Sequence, residues 1–483
     1  MVPSAALRRR LPLALDFKRI FRENRRRIQE NWLLLAARKG RKKIPGILSI
    51  NDGGKVELEI VGHFDESIET LNDNDEIDRI IGHVEKDGPV TLDYCFYTKK
   101  NFSFGGISKS KILVNRVLSG AAWDQGEAVT FNTFSFSVDC LDEWVGISGI
   151  NVDNNWESKT ATISYNPPEK IGFILDNEMK LEICFAYTLP GSPHLKEAKI
   201  TQRAYFRLES KDLRDLNDFT TVAFKITSFM CFATDEIVAM KNVSATSSEI
   251  QRDGGDDKKY PVPITVYYQS NPYSEQTPKR NWHDMLFTFG SIKDNAHQVF
   301  NNWIGAYEYL SPAFGLYFST KTGAQKYLDG KFLALAQGLE TYHRRTSTET
   351  LMEPESFESL VSTVLEGCPD EHIEWLKGRL MHGNEINLGK RLKKIIEPFK
   401  DHLGTCKERS KLLRKIVSTR NYLTHYSESL EGESATGRDL WILCLKMEVI
   451  FNLHFLNVVG FTDEEINGVV KNCYPLKRKL QEI

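Results

Sequence analysis

The spacing of apolar residues changes once along this chain, and that change limits its architecture more than any other feature. From residue 44 to about 270 the period is two. KVELEI places Val56, Leu58 and Ile60 on one side, and VTLDYCFYT, FSFSVDCL, TATISY, LEICFAY and TVAFKITSF alternate similarly between the turn signals NDGG, KDGP and NPPEK. After about Trp303 the period becomes helical. DGKFLALAQGLETYHRRT lines up Phe332, Leu335, Leu339 and Tyr342, and ESFESLVSTVL, DEHIEWLKGRLM and LGKRLKKIIEPF continue the pattern. The expected fold is α+β and multidomain: a β-rich, sandwich-like, mostly antiparallel N-terminal region, then an all-α bundle of about five to seven helices. The polar stretch SSEIQRDGGDDKKYPVP reads as a long loop or hairpin tip.

Charge separates one further segment. Residues 1–43 carry fourteen Lys/Arg against Asp16, Glu23 and Glu30, so this basic arm differs from the acidic remainder. A transit peptide, a nucleic-acid tail, an upstream translation start or a solvated helix all fit it. The most apolar helical stretch, 440–459, is interrupted by Lys446, Glu448, Asn452 and His454, so no membrane span is expected. Eight scattered cysteines without C-x2-C or clustered histidines point away from zinc sites and disulfides and toward a reducing cytoplasm. No metal or other cofactor is expected.

The chemistry is sought in IVSTRNYLTHYSESLEG, where Arg420 and His425 stand five apart. With 26 arginines and 11 histidines, R-x4-6-H arises by chance about twice in such a chain, so context must carry the argument. Thr405 and Glu408 form a T-x-x-E helix start. Leu412, Leu413, Ile416 and Val417 then make an apolar stripe, which the next turn continues with Arg420 and Thr424. A guanidinium there needs a partner, a cleft or another subunit. Asn421 and His425 share a helix face, and Arg420 is long enough to reach the same ligand. Such a set can cleave RNA without a metal: the imidazole moves a proton at the ribose 2′-hydroxyl or the leaving 5′-oxygen, and the guanidinium stabilises charge on phosphorus. The plainer alternative pairs Arg420 with a core acid and leaves His425 an ordinary surface histidine.

KIVSTRNYLTHYSESLEG resembles the signature helix of the ApeA-like branch of the HEPN (higher eukaryotes and prokaryotes nucleotide-binding) domains, and FLALAQGLETYHRR resembles the helix that opens that domain. KIPGILSINDGGKVELEIVGHF, IGHVEKDGPVTLDYCF and LDEWVGISGI resemble the β-rich ApeA N-terminal domain. The resemblance divides the chain into a basic extension (1–43), a β-rich sensor region (44–302), a connecting segment (303–328) and a HEPN helical domain (329–475). It implies a metal-independent endoribonuclease toxin acting in abortive-infection defence against phage, with R-x4-6-H elements of two subunits facing one another. Arg420 and His425 match the catalytic pair, and Asn421 the polar position after the arginine. Glu340, His343 and Arg344 share a face of the first HEPN helix. Glu340 either orients His425 or pairs with Arg420, or simply pairs with Arg344. Thr424 and Tyr426 complete the supporting set.

The expected partners are RNA, with tRNA among the candidates, a phage-derived trigger at the N-terminal region, and further copies of the chain in a dimer or larger homo-oligomer. The competing reading is a catalytically silent HEPN module that binds RNA or a protein, with a ligand-binding β region. Glycan chemistry in the β region has weaker support, because no spaced carboxylate pair stands out.

Overall fold

A computed structural model of the protein describes residues 31–36 and 43–481, apart from 65–74, 86, 104, 192–195, 256, 257 and 275. The chain divides into two compact units: the described part of Met1–Ser137 with Lys211–Leu216 and Met240–Ser270, and Val138–Ser210 with Asn217–Ala239 and Asn271–Ile483. Most of the basic arm lies outside the described residues. Its expected boundary at 43 needs correction, however, because residues 31–36 form a strand that belongs to the β region.

In the first unit the strands β1 (Asn31–Ala36), β2 (Ile44–Ile50), β3 (Val56–Val61), β4 (Glu76–Val84), β5 (Gly88–Asn101) and β6 (Lys109–Ser119) pair antiparallel in the order β6-β3-β2-β1-β4-β5. A further β5–β6 ladder, with Val114 opposite Cys95 and Val117 opposite Leu92, closes them into a ring. The sandwich-like expectation thus narrows to a small closed barrel, which leaves these strands no open edge. Period-two patterning fills it with Leu48, Val56, Leu58, Ile80, Leu92 and Ile112. The C-terminal half of β6 also pairs with β16 (Ile264–Tyr268), and the order continues to β13 (Met240–Thr246) and β7 (Thr130–Val138). The polar stretch is a hairpin tip, β14 (Gln251–Asp253) with β15 (Lys259–Pro261).

The second unit opens with α1 (Leu141–Val145), an exposed hairpin of β8 (Ile150–Asn155) and β9 (Thr160–Tyr165), and a meander of β10 (Ile171–Ile174), β11 (Lys180–Thr188) and β12 (Thr201–Asp215), whose last five residues belong to the first unit. TVAFKITSF, expected as a strand, lies instead in the helix α2 (Leu216–Thr234). Phe219, Val222, Ala223, Ile226, Phe229, Met230 and Phe232 are all buried there, and from Ile226 to Thr234 no residue is exposed, so this half lacks the one-sided stripe that reveals a helix in sequence.

After α3 (Phe289–Ile292), most of the expected connecting segment lies in α4 (Ala296–Lys321), which starts before Trp303. One aromatic core runs through the unit. Phe300 meets Trp144, Phe173, Phe206 and Phe229, and Trp303 stacks on Phe232 at 5.4 Å and on Phe314 at 4.7 Å.

The bundle proper comprises α5 (Leu328–Thr346), α6 (Pro354–Glu366), α7 (Ile373–Leu380), α8 (Leu388–Ile396), α9 (Cys406–His425), α10 (Glu428–Glu431), α11 (Gly437–Val459), α12 (Asp463–Asn472) and α13 (Tyr474–Gln481). By length and composition α11 could cross a membrane, yet most of its apolar window is buried inside the protein, as in a core helix. Its Phe455 packs on Phe232, Trp303 and Phe314. Its Glu448 carboxylate is nearly inaccessible and meets Lys321, Lys331 and Lys479 at 2.9, 2.7 and 3.3 Å. Lys321 and Lys479 also reach Asp235, just past α2, at 3.2 and 2.6 Å.

His454 of α11 donates its Nε2–H to the Ile395 carbonyl at 2.9 Å and lies between the rings of Tyr342 and Phe399. Burial pushes it down to about 4 from 6.5. The unfolded chain therefore takes up this proton first, so stability held above pH 6.5 is lost as pH falls toward about 4. We expect the unfolding free energy from denaturant titrations to drop across that window by up to roughly 3 kcal/mol, and His454→Gln to flatten the slope. A wild-type stability independent of pH there would contradict the assignment.

Candidate active site

The helix that carries Arg420 and His425 starts where the sequence places it. Thr405 accepts the Glu408 N–H at 3.3 Å while the Glu408 carboxylate accepts the Thr405 N–H at 2.7 Å, a reciprocal cap that satisfies two free donors. Further along, the buried line is Leu412, Ile416 and Thr419, and Thr419 Oγ1 accepts the Ala435 N–H at 2.9 Å. Ser418 donates to Glu433 at 3.2 Å, and Lys415 Nζ to the Ser434 carbonyl at 3.0 Å. These contacts tie α9 to the segment leading into α11.

This phase corrects the expectation for Arg420. The buried line continues through Thr419, and Arg420, ~100° further round the helix, is half-buried. Its guanidinium thus keeps access to water and to anything that docks there. Nη1 donates to Asn421 Oδ1 at 3.3 Å, and among the described residues no acid pairs with it. Asn421 is also half-buried, whereas Thr424, His425 and Tyr426 are exposed. Thr424 turns back to its own helix, its hydroxyl donating to the Arg420 carbonyl at 2.7 Å. His425 is the last helical residue, and Tyr426 ends the helix in the left-handed conformation, its N–H donating to the Tyr422 carbonyl.

On α5 the three candidates separate. Glu340 accepts from Arg344 at 3.1 Å, the intrahelical pair, and Arg344 also reaches Glu385 at 2.5 Å. His343 is buried, with Arg391 of α8 donating from Nη1 to its Nδ1 at 3.2 Å; the ring is therefore neutral with its proton on Nε2. Burial first, then the Arg391 charge, holds His343 below the ordinary histidine range. Among the described residues no hydrogen bond or ion pair joins Glu340, His343 or Arg344 to Arg420 or His425.

Sequence reasoning missed Arg391. It lies 48 residues from its histidine, and nothing local announces the pairing. Its helix adjoins α9 closely, since a Cβ on Gly389 would lie 3.7 Å from Val417 Cγ2, one turn before Asn421.

The arrangement supplies a guanidinium, an imidazole and an amide at one solvent-open helix end, groups suited to phosphodiester transfer. Among the described residues no group of three or more His, Cys, Asp or Glu side chains gathers as a metal site.

A family model described as ApeA N-terminal domain 1 matches residues 31–303, and one described as Apea-like HEPN matches residues 333–465. No curated protein and no solved structure matches the chain.

Proposed function

Because this chain belongs to the ApeA family, with an ApeA N-terminal domain followed by an Apea-like HEPN domain, a nuclease-type role in defence is its general setting, and within it we propose a metal-independent endoribonuclease. The observation that carries this reading is the state of Arg420: half-buried, without an acid partner among the described residues, and on the same helix end as the exposed His425. A fully buried structural arginine needs a neutralising acid, whereas Arg420 stays open to water and to a ligand.

In the proposed reaction His425 takes the proton of a ribose 2′-hydroxyl. The 2′-oxygen attacks the adjacent phosphorus, the bond from phosphorus to the 5′-oxygen breaks, and that oxygen takes a proton from water as it leaves. The products are a 2′,3′-cyclic phosphate and a 5′-hydroxyl. Arg420 stabilises the charge on the pentacoordinate centre, held in aim by Asn421. DNA lacks the nucleophile and is not a substrate.

The reading extends to an abortive-infection toxin that works as a dimer or larger homo-oligomer, with the N-terminal region answering a phage-derived trigger and a host RNA, tRNA included, as target. The test is cleavage of total RNA by purified protein in excess chelator, with end-group analysis. Cyclic or 3′-phosphate ends with 5′-hydroxyls are expected. Ends bearing 5′-phosphate, or activity lost in EDTA, would remove this mechanism, and binding without cleavage would favour the silent RNA-binding module.

A further inference from the structure

The nuclease reading leaves the residue beside the histidine without a role. Tyr426 closes α9 at φ 49°, ψ 38°, in the left-handed region where helix ends ordinarily carry glycine. A Cβ is strained there, yet the residue is a large aromatic, 66% exposed, with no core to fill. It is also held in place. Its N–H donates to the Tyr422 carbonyl at 2.6 Å, and its ring meets that of Tyr422 edge-on at 5.5 Å. Strain kept at a functional site points to use rather than to stability.

Resting on the nuclease reading, we propose that Tyr426, braced by Tyr422, is a stacking platform for an unpaired base of single-stranded RNA next to the scissile phosphate. The Arg420–His425 pair contacts phosphate and ribose, which are alike at every nucleotide, so it cannot choose where a strand is cut. A base laid on an exposed, fixed aromatic ring supplies that missing restraint, because single-stranded bases are free to splay out and stack. Tyr426 is then a positioning residue: it sets which phosphate rests at the pair.

Tyr426→Gly tests this in the full-length chain. Glycine relieves the backbone strain while losing the ring pair with Tyr422, so the two effects offset and the melting temperature should stay within ~3 °C of wild type. On a single-stranded oligoribonucleotide KM should rise about ten- to hundred-fold, and the cleavage positions should spread. Tyr426→Phe keeps the ring and should restore both KM and the pattern. In the His425→Ala background, adding Tyr426→Gly should weaken binding of the same oligonucleotide at least ~10-fold by fluorescence anisotropy. Unchanged KM and cleavage positions in Tyr426→Gly would overturn the platform, as would a Phe variant as impaired as Gly. Should wild type cleave no RNA, the nuclease reading fails by itself. The anisotropy pair still decides the platform, with equal affinities counting against it.

Discussion

Arg420→Ala and His425→Ala are each expected to lower RNA cleavage by about 10²–10⁴-fold, the range associated with losing a general acid–base or a preorganised charge at a reacting phosphate. The structure makes this a clean experiment. His425 is exposed at the end of α9, and Arg420 is half-buried with a single side-chain partner, Asn421, among the described residues. Neither fills the core, so both variants should unfold within about 0.5 kcal/mol of wild type, and loss of activity cannot be blamed on misfolding. Arg420→Lys should recover little, because an ammonium cannot reproduce the planar fork that Asn421 orients. Two folded alanine variants that cleave at the wild-type rate would show the site to be elsewhere.

The second large effect concerns stability. Glu448→Ala leaves Lys321 and Lys479 with one remaining carboxylate, Asp235, and takes from Lys331 its Glu448 partner; removing one member of a buried ion cluster typically costs about 3–5 kcal/mol. Lys331→Ala, at the more open edge of the cluster, should cost well under half of that. The cluster also carries an acid signature. The surrounding lysines outweigh burial and bring Glu448 down to about 2 from 4.5, and Lys321 and Lys479 lower Asp235 in the same direction. Its contribution is therefore complete above pH 4.5 and disappears as pH falls toward about 2. Chemical denaturation of wild type and Glu448→Ala at neutral pH measures the first effect, and an unchanged midpoint would refute it. Their difference should shrink on acidification.

Much of this architecture was legible in the amino-acid sequence because it is local. The change of period marks the passage from strands to helices, and the Thr405–Glu408 cap fixes the start of α9 to the residue. What was hidden depends on distant partners. Ring closure is a β5–β6 ladder that no single strand encodes. From Ile226 to Thr234 every residue of α2 is buried, and its β-branched TVAFKIT run imitates a strand. The phase of α9 depends on such a partner: Thr419 is buried where Ala435 supplies a donor sixteen positions away, so the buried line runs through Thr419 and Arg420 is left half-buried. On α5, Glu340 pairs with Arg344 as one of the sequence alternatives allows, while the buried His343 meets Arg391, a pairing made by folding alone.

The aromatic core has a consequence for inheritance. The two family matches end and begin at residues 303 and 333, as though a gene could be cut between them and the halves traded among genomes. Phe232 and Trp303 from the first match pack on Phe455 from the second, and Asp235 and Glu448, one from each, are bridged by Lys321 and Lys479, which lie outside both. An HEPN segment transplanted from residue 329 would arrive with that hydrophobic face bare and Glu448 short of Lys321. A segment cut at residue 329 should therefore fold stably only when α2 and α4 accompany it.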